Sequence, residues 1–256
     1  MAAGTVRVRR EGAVARVSLD RAPLNVLDRP LGRALADAVA AIAADRDVAV
    51  LVMDGGDARG FSAGVEVADH TPELVGEMLA AFHGAVRALW ACACPSVALV
   101  HGFAMGGGLE LALACDQVVV ERDARLGFPE IALGCYPPVA AAILPARIGW
   151  AAANDLVLGG EPFTSEHALA LGLVNRICAP GAREAACAEL VAPLLRHSPA
   201  VLREARLALK IGEGGAQEAA LTAIEKRYLD TLMKLGDANE GIAAWLAKRA
   251  PQWRNG

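Results

Sequence analysis

Two short loops rich in glycine and alanine are the segments of this sequence best suited to binding a ligand through backbone N–H groups. The first spans Gly60–Glu66 after a predicted buried strand, and the second spans Ala104–Glu110 between a predicted strand and a predicted short helix. Small residues let a ligand approach the backbone, and the first N–H groups of a helix have no partner within it. Two such loops, around Ala63 and Gly107, can hold one oxygen between them. A pair of plain tight turns is the alternative.

Two glutamates flank the second loop. Glu110 falls in the first turn of the predicted short helix, and Glu130 follows Leu126–Pro129 in a predicted turn. A lone glutamate in such a place is usually solvated or caps a helix. Here the neighbours are strongly apolar, and loss of water raises a carboxyl pKa towards neutrality, where proton transfer becomes practical. The two residues therefore predict acid–base chemistry beside the oxygen that the loops hold.

Phosphate binding, dinucleotide binding and serine hydrolysis are the alternative functions of these loops. The triple glycine at Gly106–Gly108 lacks the Lys-Ser/Thr of a phosphate loop and the spacing of a dinucleotide fingerprint. Gly60–Gly64 matches the Gly-x-Ser-x-Gly elbow of serine hydrolases, with Ser62 as the nucleophile. Six residues, Asp54–Arg59, separate it from its strand, and no helical pattern begins at Val65. A hydrolase remains the minor alternative, which labelling of Ser62 by a serine-directed phosphonate would favour.

The elements that position these loops alternate between strand and helix. The chain opens with a predicted β-hairpin at Thr5–Arg10 and Ala13–Leu19, and Asp28 is the predicted N-cap of a helix that ends near Asp45. The next predicted elements are a strand at Val48–Met53, a helix starting at Thr71-Pro72, a strand at Ser96–Val100, a helix at Gly108–Ala114, a strand at Gln117–Val120 and a turn over 135–142. In such an α/β core, ligands bind where loops leave the carboxyl ends of the strands.

From Trp150 onward the pattern becomes mostly helical. The predicted helices are Ala151–Leu158, Ser165–Leu171, Ala182–Leu195, Pro199–Ile211, Ala216–Leu235 and Asn239–Arg249. This change of pattern predicts an α/β core followed by a helical region.

Composition limits the partners. With 256 residues, 55% of them apolar and 21% charged, the chain can bury a large core. The net charge of −4 argues against nucleic acid as a partner. Six cysteines without a Cys-x-x-Cys pair or a Cys/His cluster indicate no metal site and reduced thiols, as in a cytoplasmic protein. The apolar stretch at Ser96–Val100 is broken by His101 and Gly102 far short of the roughly 20 residues of a membrane span, so no membrane association is expected.

Several motifs together resemble the crotonase, or enoyl-CoA hydratase/isomerase, family over nearly the whole chain. They are Arg21–Leu27, Phe61–Glu66, Met105–Ala112, Phe128–Gly134, Ala168–Val174 and Ala247–Ala250. The resemblance implies an α/β fold built as a spiral of ββα turns over residues 1–195. It also implies a helical oligomerisation region over residues 196–256, which builds a homotrimer or a dimer of trimers. The implied substrate is an acyl-CoA thioester, and because coenzyme A is part of that substrate, no separate cofactor is expected.

The resemblance also assigns roles by matching position. The N–H groups of Ala63 and Gly107 would form an oxyanion hole for the thioester oxygen, a contribution of about 3 kcal/mol for each donor in such sites. Glu110 and Glu130 match the pair that activates water and moves the α-proton, and the presence of both favours hydration over isomerisation. An isomerase that uses Glu130 alone is one alternative. A crotonase-like binding protein without catalysis, for example an RNA-binding one, is the other.

Coenzyme A would be held by residues of the two segments Arg21–Leu27 and Ala63–Glu66. The predicted contacts are Arg21, Ala22, Leu24, Ala63, Gly64, Val65, Glu66, Gly107 and Pro138. Trp245 and Lys248 match positions at which one subunit reaches the coenzyme A of its neighbour, although Lys248 is equally well an ordinary solvated charge. Glu66 is interpreted as a helix cap rather than as a third carboxylate of the pocket.

The sequence departs from the family after Gly134. Relatives usually have a glycine-rich turn there, whose backbone N–H helps to hold the catalytic water. Pro138 takes the place of that donor and has no N–H, so the water must be held differently or the substrate differs.

Four further segments are similar to the cyclohexa-1,5-diene-1-carbonyl-CoA hydratase branch of the family. They are Asp69–Pro72, Met78–Gly84, Tyr228–Met233 and Glu240–Arg249. This similarity implies hydration of a cyclic dienoyl thioester, with a generic short-chain enoyl-CoA hydratase as the alternative. His70 and His83 lie in these segments, where they either line the acyl pocket or are satisfied structural residues.

Overall fold

The computed structural model describes residues 5–254, with only the backbone described at Thr5 and Glu213. The outermost residues of the two predicted regions, 1–4 and 255–256, lie outside it. Its strands, in chain order, are β1 Thr5–Glu11, β2 Val14–Asp20, β3 Val50–Asp54, β4 Ser96–Val100, β5 Phe103–Met105, β6 Gln117–Glu121, β7 Arg125–Gly127 and β8 Arg176–Cys178. The predicted hairpin and the predicted strands that begin the α/β core are thus confirmed, with ends shifted by one or two residues.

Six strands form one sheet, in the order β1-β2-β3-β4-β6-β8. The β1–β2 pair is antiparallel and the other pairs are parallel. Every residue of β3 and β4 is buried, as expected for parallel strands covered on both faces. The parallel pair β5–β7 forms a second, small sheet. Since β4 leads into β5 and β6 leads into β7, the chain moves from the large sheet to the small one in two successive turns.

Ten α-helices pack around these sheets within the described residues. They are α1 Arg29–Ala44, α2 Val75–Ala91, α3 Gly107–Leu113, α4 Pro138–Ile148, α5 Trp150–Gly159, α6 Ser165–Ala170, α7 Arg183–Val191, α8 Pro199–Glu213, α9 Ala216–Asp230 and α10 Gly236–Leu246. Short 3-10 helices occur at Val67–Asp69, Pro129–Leu133, Leu194–Arg196 and Leu232–Lys234. None of the helices in this part of the chain is long and apolar enough to cross a membrane.

The start of α1 follows the prediction, whereas the start of α2 does not. Asp28 accepts a hydrogen bond from Leu31 N at 2.9 Å, so it caps α1 as expected. The prediction that α2 begins at Thr71-Pro72 was wrong, because this segment forms a turn. Its Thr71 carbonyl accepts from Leu74 N at 3.1 Å and from Val75 N at 2.9 Å, and the α-helix begins at Val75.

The predicted turn over 135–142 is largely helix α4, which begins at Pro138. Two adjacent prolines indicate a turn, yet proline also fits the first position of a helix, where no N–H is needed. Strands β5, β7 and β8 were not predicted either, because three residues each are too few to show an alternating pattern. The correction at α4 matters for function, since its first turn faces the candidate site.

The helical region after residue 195 packs directly on the core. Helix α9 packs on α4 and α2, and α10 packs on the 3-10 helices Val67–Asp69 and Pro129–Leu133. In α8, Arg206 Nε donates to Asp116 Oδ2 at 2.7 Å. The helices after residue 195 therefore complete the same body as the α/β core, and their predicted role in oligomerisation stays a prediction.

Candidate active site

The two glycine-rich loops lie side by side. Ser62 and Ala104 form a parallel bridge, and Met105 N donates to Ser62 O at 3.0 Å. Small residues are required for this approach: a Cβ added at Gly108 would lie 2.5 Å from Ser62 O. At Gly64, where φ is +100°, an added Cβ would lie 2.8 Å from Met105 O. The prediction that the loops meet is confirmed.

The structure reassigns one of the two predicted oxyanion donors. Ala63 N donates to Leu24 O at 2.9 Å, so the prediction that this amide faces the substrate was wrong. Among the described residues, the N–H groups of Val65 and Gly107 have no acceptor. They are also close together, because a Cβ added at Gly107 would lie 3.4 Å from Val65 N. The free donors at this crossing are therefore Val65 and Gly107.

Ser62 is not placed as a nucleophile. Its hydroxyl donates to Asn25 O at 2.7 Å and accepts from Gly64 N at 3.1 Å, and the residue is fully buried. Asn25 is fully buried too, and its Nδ2 donates to Gly55 O at 2.8 Å and Phe61 O at 3.0 Å. Ser62 and Asn25 thus fix the first loop, and the serine-hydrolase alternative is contradicted. Asn25 belongs to the motif Arg21–Leu27, but no role of its own was predicted for it.

Glu110 is a buried carboxyl group held by the start of α4. It is 2% exposed, and its Oε1 accepts from Ala140 N at 2.8 Å. Burial raises the pKa of this carboxyl to about 7, and the N–H groups of Ala140 and Val139 partly oppose that rise. Pro138, the first residue of α4, lacks an N–H, but the next two residues supply donors to Glu110. Pro138 thus lacks an N–H, as predicted, but the N–H groups of Val139 and Ala140 face the carboxylate of Glu110.

Glu130 lies on the 3-10 helix Pro129–Leu133, beside the second loop. Its Oε2 is buried and has no hydrogen-bond partner among the described residues. Gly106 leaves the necessary space, because an added Cβ there would lie 2.4 Å from Glu130 Oε1. Burial first, and then the charge of Glu110, raise the pKa of Glu130 well above its ordinary value. Two carboxyls that repel each other in an apolar site retain a proton between them near neutral pH.

One pocket contains both carboxyls and both loops. Ala63, Gly64, Val65, Gly107, Glu110, Glu130 and Pro138 all line it. Much of its remaining wall is aromatic, and Tyr136 and Tyr228 meet edge to face with ring centroids 5.1 Å apart. Since Tyr228 belongs to α9, the C-terminal helices complete the pocket. The prediction that Glu110 and Glu130 share a site is confirmed in its geometry.

Residues predicted to bind coenzyme A border the first loop. Leu27 N donates to Gly64 O at 2.8 Å, which fixes Arg21–Leu27 against it, and Leu24 is 38% exposed there. Ala22 is exposed as well. Arg21 Nε lies 3.2 Å from Asp28 Oδ2, and Arg21 Nη2 lies 3.9 Å from Glu66 Oε2. Glu66 occupies the N-cap position of the 3-10 helix Val67–Asp69, as predicted, but its side chain makes no capping hydrogen bond.

Trp245 and Lys248 lie elsewhere in this subunit. Both are exposed, Trp245 at 51%, and neither lines the pocket. Their predicted role, which concerns a neighbouring subunit, stays a prediction. His70 and His83, by contrast, both line the pocket. No cluster of three or more His, Cys, Asp and Glu side chains suited to a metal ion occurs in residues 5–254.

Two free backbone N–H groups beside two buried carboxyls define a site for stabilising an oxyanion while protons move.

The family model described as enoyl-CoA hydratase/isomerase matches residues 9–256. The chain is 33% identical over 253 residues to cyclohexa-1,5-dienecarbonyl-CoA hydratase of Thauera aromatica, covering 98% of this chain and 96% of the relative. It is 34% identical to 2,3-dehydroadipyl-CoA hydratase of Escherichia coli (strain K12), covering 96% and 97%.

A solved structure shares the fold. An enoyl-CoA hydratase from Mycobacterium avium subsp. paratuberculosis K-10 superposes with a TM-score of 0.87 at 29% identity, covering 98% of each chain. The chain therefore belongs to the enoyl-CoA hydratase/isomerase family, and the predicted fold class is confirmed. It is an enzyme, related throughout its length to hydro-lyases that act on enoyl-CoA thioesters.

Proposed function

We propose that this enzyme adds water to a conjugated enoyl- or dienoyl-CoA thioester, with cyclohexa-1,5-diene-1-carbonyl-CoA as the favoured substrate. One observation carries the proposal: the buried carboxyls of Glu110 and Glu130 line the same pocket as the free N–H groups of Val65 and Gly107. Hydration needs a base for water, an acid for the α-carbon and donors for the enolate oxygen. These four groups supply all three requirements.

The surroundings of the two carboxyls divide their roles. Glu110 accepts a hydrogen bond from Ala140 N at 2.8 Å, and the N–H groups of Ala140 and Val139 both favour its ionised form. Glu130 Oε2 has no donor among the described residues, and burial, followed by the charge of Glu110, raises the pKa of Glu130 and keeps the proton on it. Glu110 is therefore the base that takes a proton from water, and Glu130 is the acid that protonates the α-carbon. After product release, both carboxyls exchange protons with water. Glu110 is then ionised again and Glu130 is protonated again.

The two amides act on the thioester oxygen. As the hydroxide adds at the β-carbon, negative charge moves to this oxygen, where the N–H groups of Val65 and Gly107 stabilise it. The donors are fixed by the backbone before the reaction, so little reorganisation opposes them. In this account the thioester and the coenzyme A moiety belong to the substrate, and no separate cofactor takes part.

Two features support a compact, ring-shaped acyl group. The pocket is bordered by the aromatic side chains of Phe82, Tyr136 and Tyr228, and Pro138 closes part of it. The relative from Thauera aromatica is named for a cyclic dienoyl substrate. The relative from Escherichia coli, equally similar in sequence, is named for a linear acyl substrate. The choice between a cyclic and a linear acyl group therefore depends on the shape of the pocket.

A comparison of substrates tests the proposal. We expect kcat/KM for cyclohexa-1,5-diene-1-carbonyl-CoA to exceed that for crotonyl-CoA by at least about tenfold, a difference of roughly 1.4 kcal/mol in transition-state binding. Loss of the conjugated thioester absorbance gives both rates. Faster hydration of crotonyl-CoA would indicate a generic short-chain hydratase, and no turnover of either would contradict the function.

The assembly and its location are part of the proposal. We propose a homotrimer or dimer of trimers in the cytoplasm, and the oligomer is supported by exposed apolar side chains on the C-terminal helices, among them Leu209 at 76%, Ile211 at 80% and Trp245 at 51%. Such side chains are suited to burial against a second copy of the chain. A binding protein for RNA is disfavoured by the net charge of −4 and by the two catalytic carboxyls.

A further inference from the structure

One buried histidine of the pocket lacks a hydrogen bond that it is able to make. His83 lies on α2, is fully buried, and lines the pocket of Glu110 and Glu130. Its Nδ1 lies 2.5 Å from Glu225 Oε1, whereas its Nε2 has no partner among the described residues. A buried polar atom left without a partner costs about 1–3 kcal/mol. Such an atom in the wall of a binding pocket therefore points to a ligand that satisfies it.

The partners of Glu225 settle which nitrogen of His83 carries the proton. Arg87 donates to Glu225 through Nη1 at 3.0 Å and through Nη2 at 2.6 Å. Burial alone would raise the pKa of Glu225, but the hydrogen bonds from His83 and Arg87 outweigh burial and hold it at about 2. An ionised carboxylate only accepts, so His83 Nδ1 must carry the proton that it shares with Glu225.

The other nitrogen of His83 is then an acceptor. Burial lowers the pKa of His83, and the nearby charge of Arg87 also opposes a second proton, although Glu225 acts in the other direction. A neutral imidazole with its proton on Nδ1 presents a lone pair at Nε2. The atom that this pocket wall leaves unsatisfied thus requires a hydrogen-bond donor, and neither a carbonyl nor an ether oxygen would satisfy it.

We infer that His83 Nε2 accepts a hydrogen bond from a hydroxyl group on the acyl moiety, so that this enzyme binds a hydroxylated derivative of the thioester proposed above more tightly than the thioester without that hydroxyl. The inference rests on the proposed function, which puts the acyl group in this pocket. The hydroxyl that hydration adds at the β-carbon comes from the water that Glu110 activates while Glu130 protonates the α-carbon. The hydroxyl that meets His83 is therefore a second one, carried farther along the chain or ring.

His83 is distinguished from the other histidine of the pocket by its partners. His70 also lines the pocket, but its Nδ1 already lies 3.2 Å from Glu66 O, and its Nε2 is not among the buried atoms without a partner. His70 consequently provides a matched control. Replacing either histidine with phenylalanine keeps an aromatic ring in the wall, and Glu225 retains both hydrogen bonds from Arg87 when His83 is changed.

Binding of saturated thioesters to the full-length enzyme tests the inference. The probes are cyclohexanecarbonyl-CoA, its ring-hydroxylated analogues with the hydroxyl beyond the β-carbon, and the corresponding ring ketones. In the unmodified enzyme we expect one hydroxylated probe to bind about 3- to 10-fold more tightly than the parent thioester, the value of one hydrogen bond. Its ketone should show no gain, because an acceptor would then face an acceptor.

Variants of the two histidines then show which side chain causes the preference for the hydroxylated probe. His83→Phe should remove the preference for the hydroxylated probe while the parent thioester still binds, and His70→Phe should retain it. A ketone that binds as tightly as the alcohol, or a preference that survives in His83→Phe, would overturn the inference. Even if His83→Phe does not fold, the comparison of alcohol and ketone in the unmodified enzyme shows whether the pocket requires a hydrogen-bond donor on the acyl group. Failure of every thioester to bind would instead contradict the proposed function itself.

Discussion

Replacing Glu110 with glutamine is expected to lower kcat for hydration by about 10²- to 10⁴-fold, the usual contribution of a positioned general base. Glutamine retains an oxygen that can accept from Ala140 N but cannot take a proton from water. Glu130→Gln should cause a loss of similar size, because its amide cannot protonate the α-carbon. Binding of a saturated acyl-CoA should survive in both variants, measured by calorimetry alongside the hydration rate.

Glu121→Gln is the matched control for these variants. Glu121 is another buried glutamate that accepts from a backbone amide, Gly181 N at 3.0 Å, but it does not line the pocket. Its replacement should leave kcat within about threefold of the original value. A normal hydration rate in either pocket variant would contradict the assigned acid–base pair.

The pH dependence of stability distinguishes loss of chemistry from loss of fold. The pKa of Glu110 is raised in the folded chain, from the ordinary 4.5 to about 7, so the folded state keeps a proton that the unfolded state releases. The free energy of unfolding therefore falls as pH rises between these values. Glu110→Gln removes this dependence and should be more stable than the original chain at pH 8, by on the order of 1–3 kcal/mol. An inactive variant that is also more stable cannot owe its inactivity to unfolding.

Removing the N–H of residue 65 is expected to slow hydration by about 10²- to 10³-fold, the effect of deleting one oxyanion donor. The change is made by incorporating the α-hydroxy analogue of valine at Val65, which converts the amide to an ester and keeps the side chain. Since Val65 N has no acceptor among the described residues, the fold loses no hydrogen bond. The measurement is kcat for hydration, with the Kd of a saturated thioester as a check on binding.

The same replacement at Ala63 provides the control. It deletes the hydrogen bond from Ala63 N to Leu24 O, which costs stability of about 0.5–1.5 kcal/mol, but it should leave the chemical step nearly unchanged. If the Ala63 ester were the slow enzyme and the Val65 ester the normal one, the reassignment of the oxyanion donor would be wrong.

The sequence was sufficient for the features that depend on short patterns. Asp28 before a helical stripe predicted the start of α1, and two glycine loops after buried strands predicted the crossing that the structure contains. Glu110 and Glu130 were predicted to share a site because both flank one loop. In each case the signal lies within a few residues of the feature, where local geometry governs the backbone.

The remaining features depend on contacts between distant residues. Whether Ala63 N or Val65 N is free depends on the carbonyl of Leu24, which the order of residues in the loop does not reveal. The carboxylate of Glu225 approaches His83 from a helix 142 positions away in sequence. Pro138 was interpreted as the loss of a donor, and only the packing of α4 shows that the next two residues supply donors to Glu110.

Isotope incorporation during turnover tests whether the two carboxyls and two amides perform hydration. The unmodified enzyme is given an unsaturated acyl-CoA in water enriched with oxygen-18 or with deuterium, and the product is analysed by mass spectrometry and NMR. Hydration is expected to put one oxygen-18 atom in the new hydroxyl and one solvent deuterium on the α-carbon for each turnover. Deuterium at carbon without any oxygen-18 would contradict it and identify the enzyme as a double-bond isomerase.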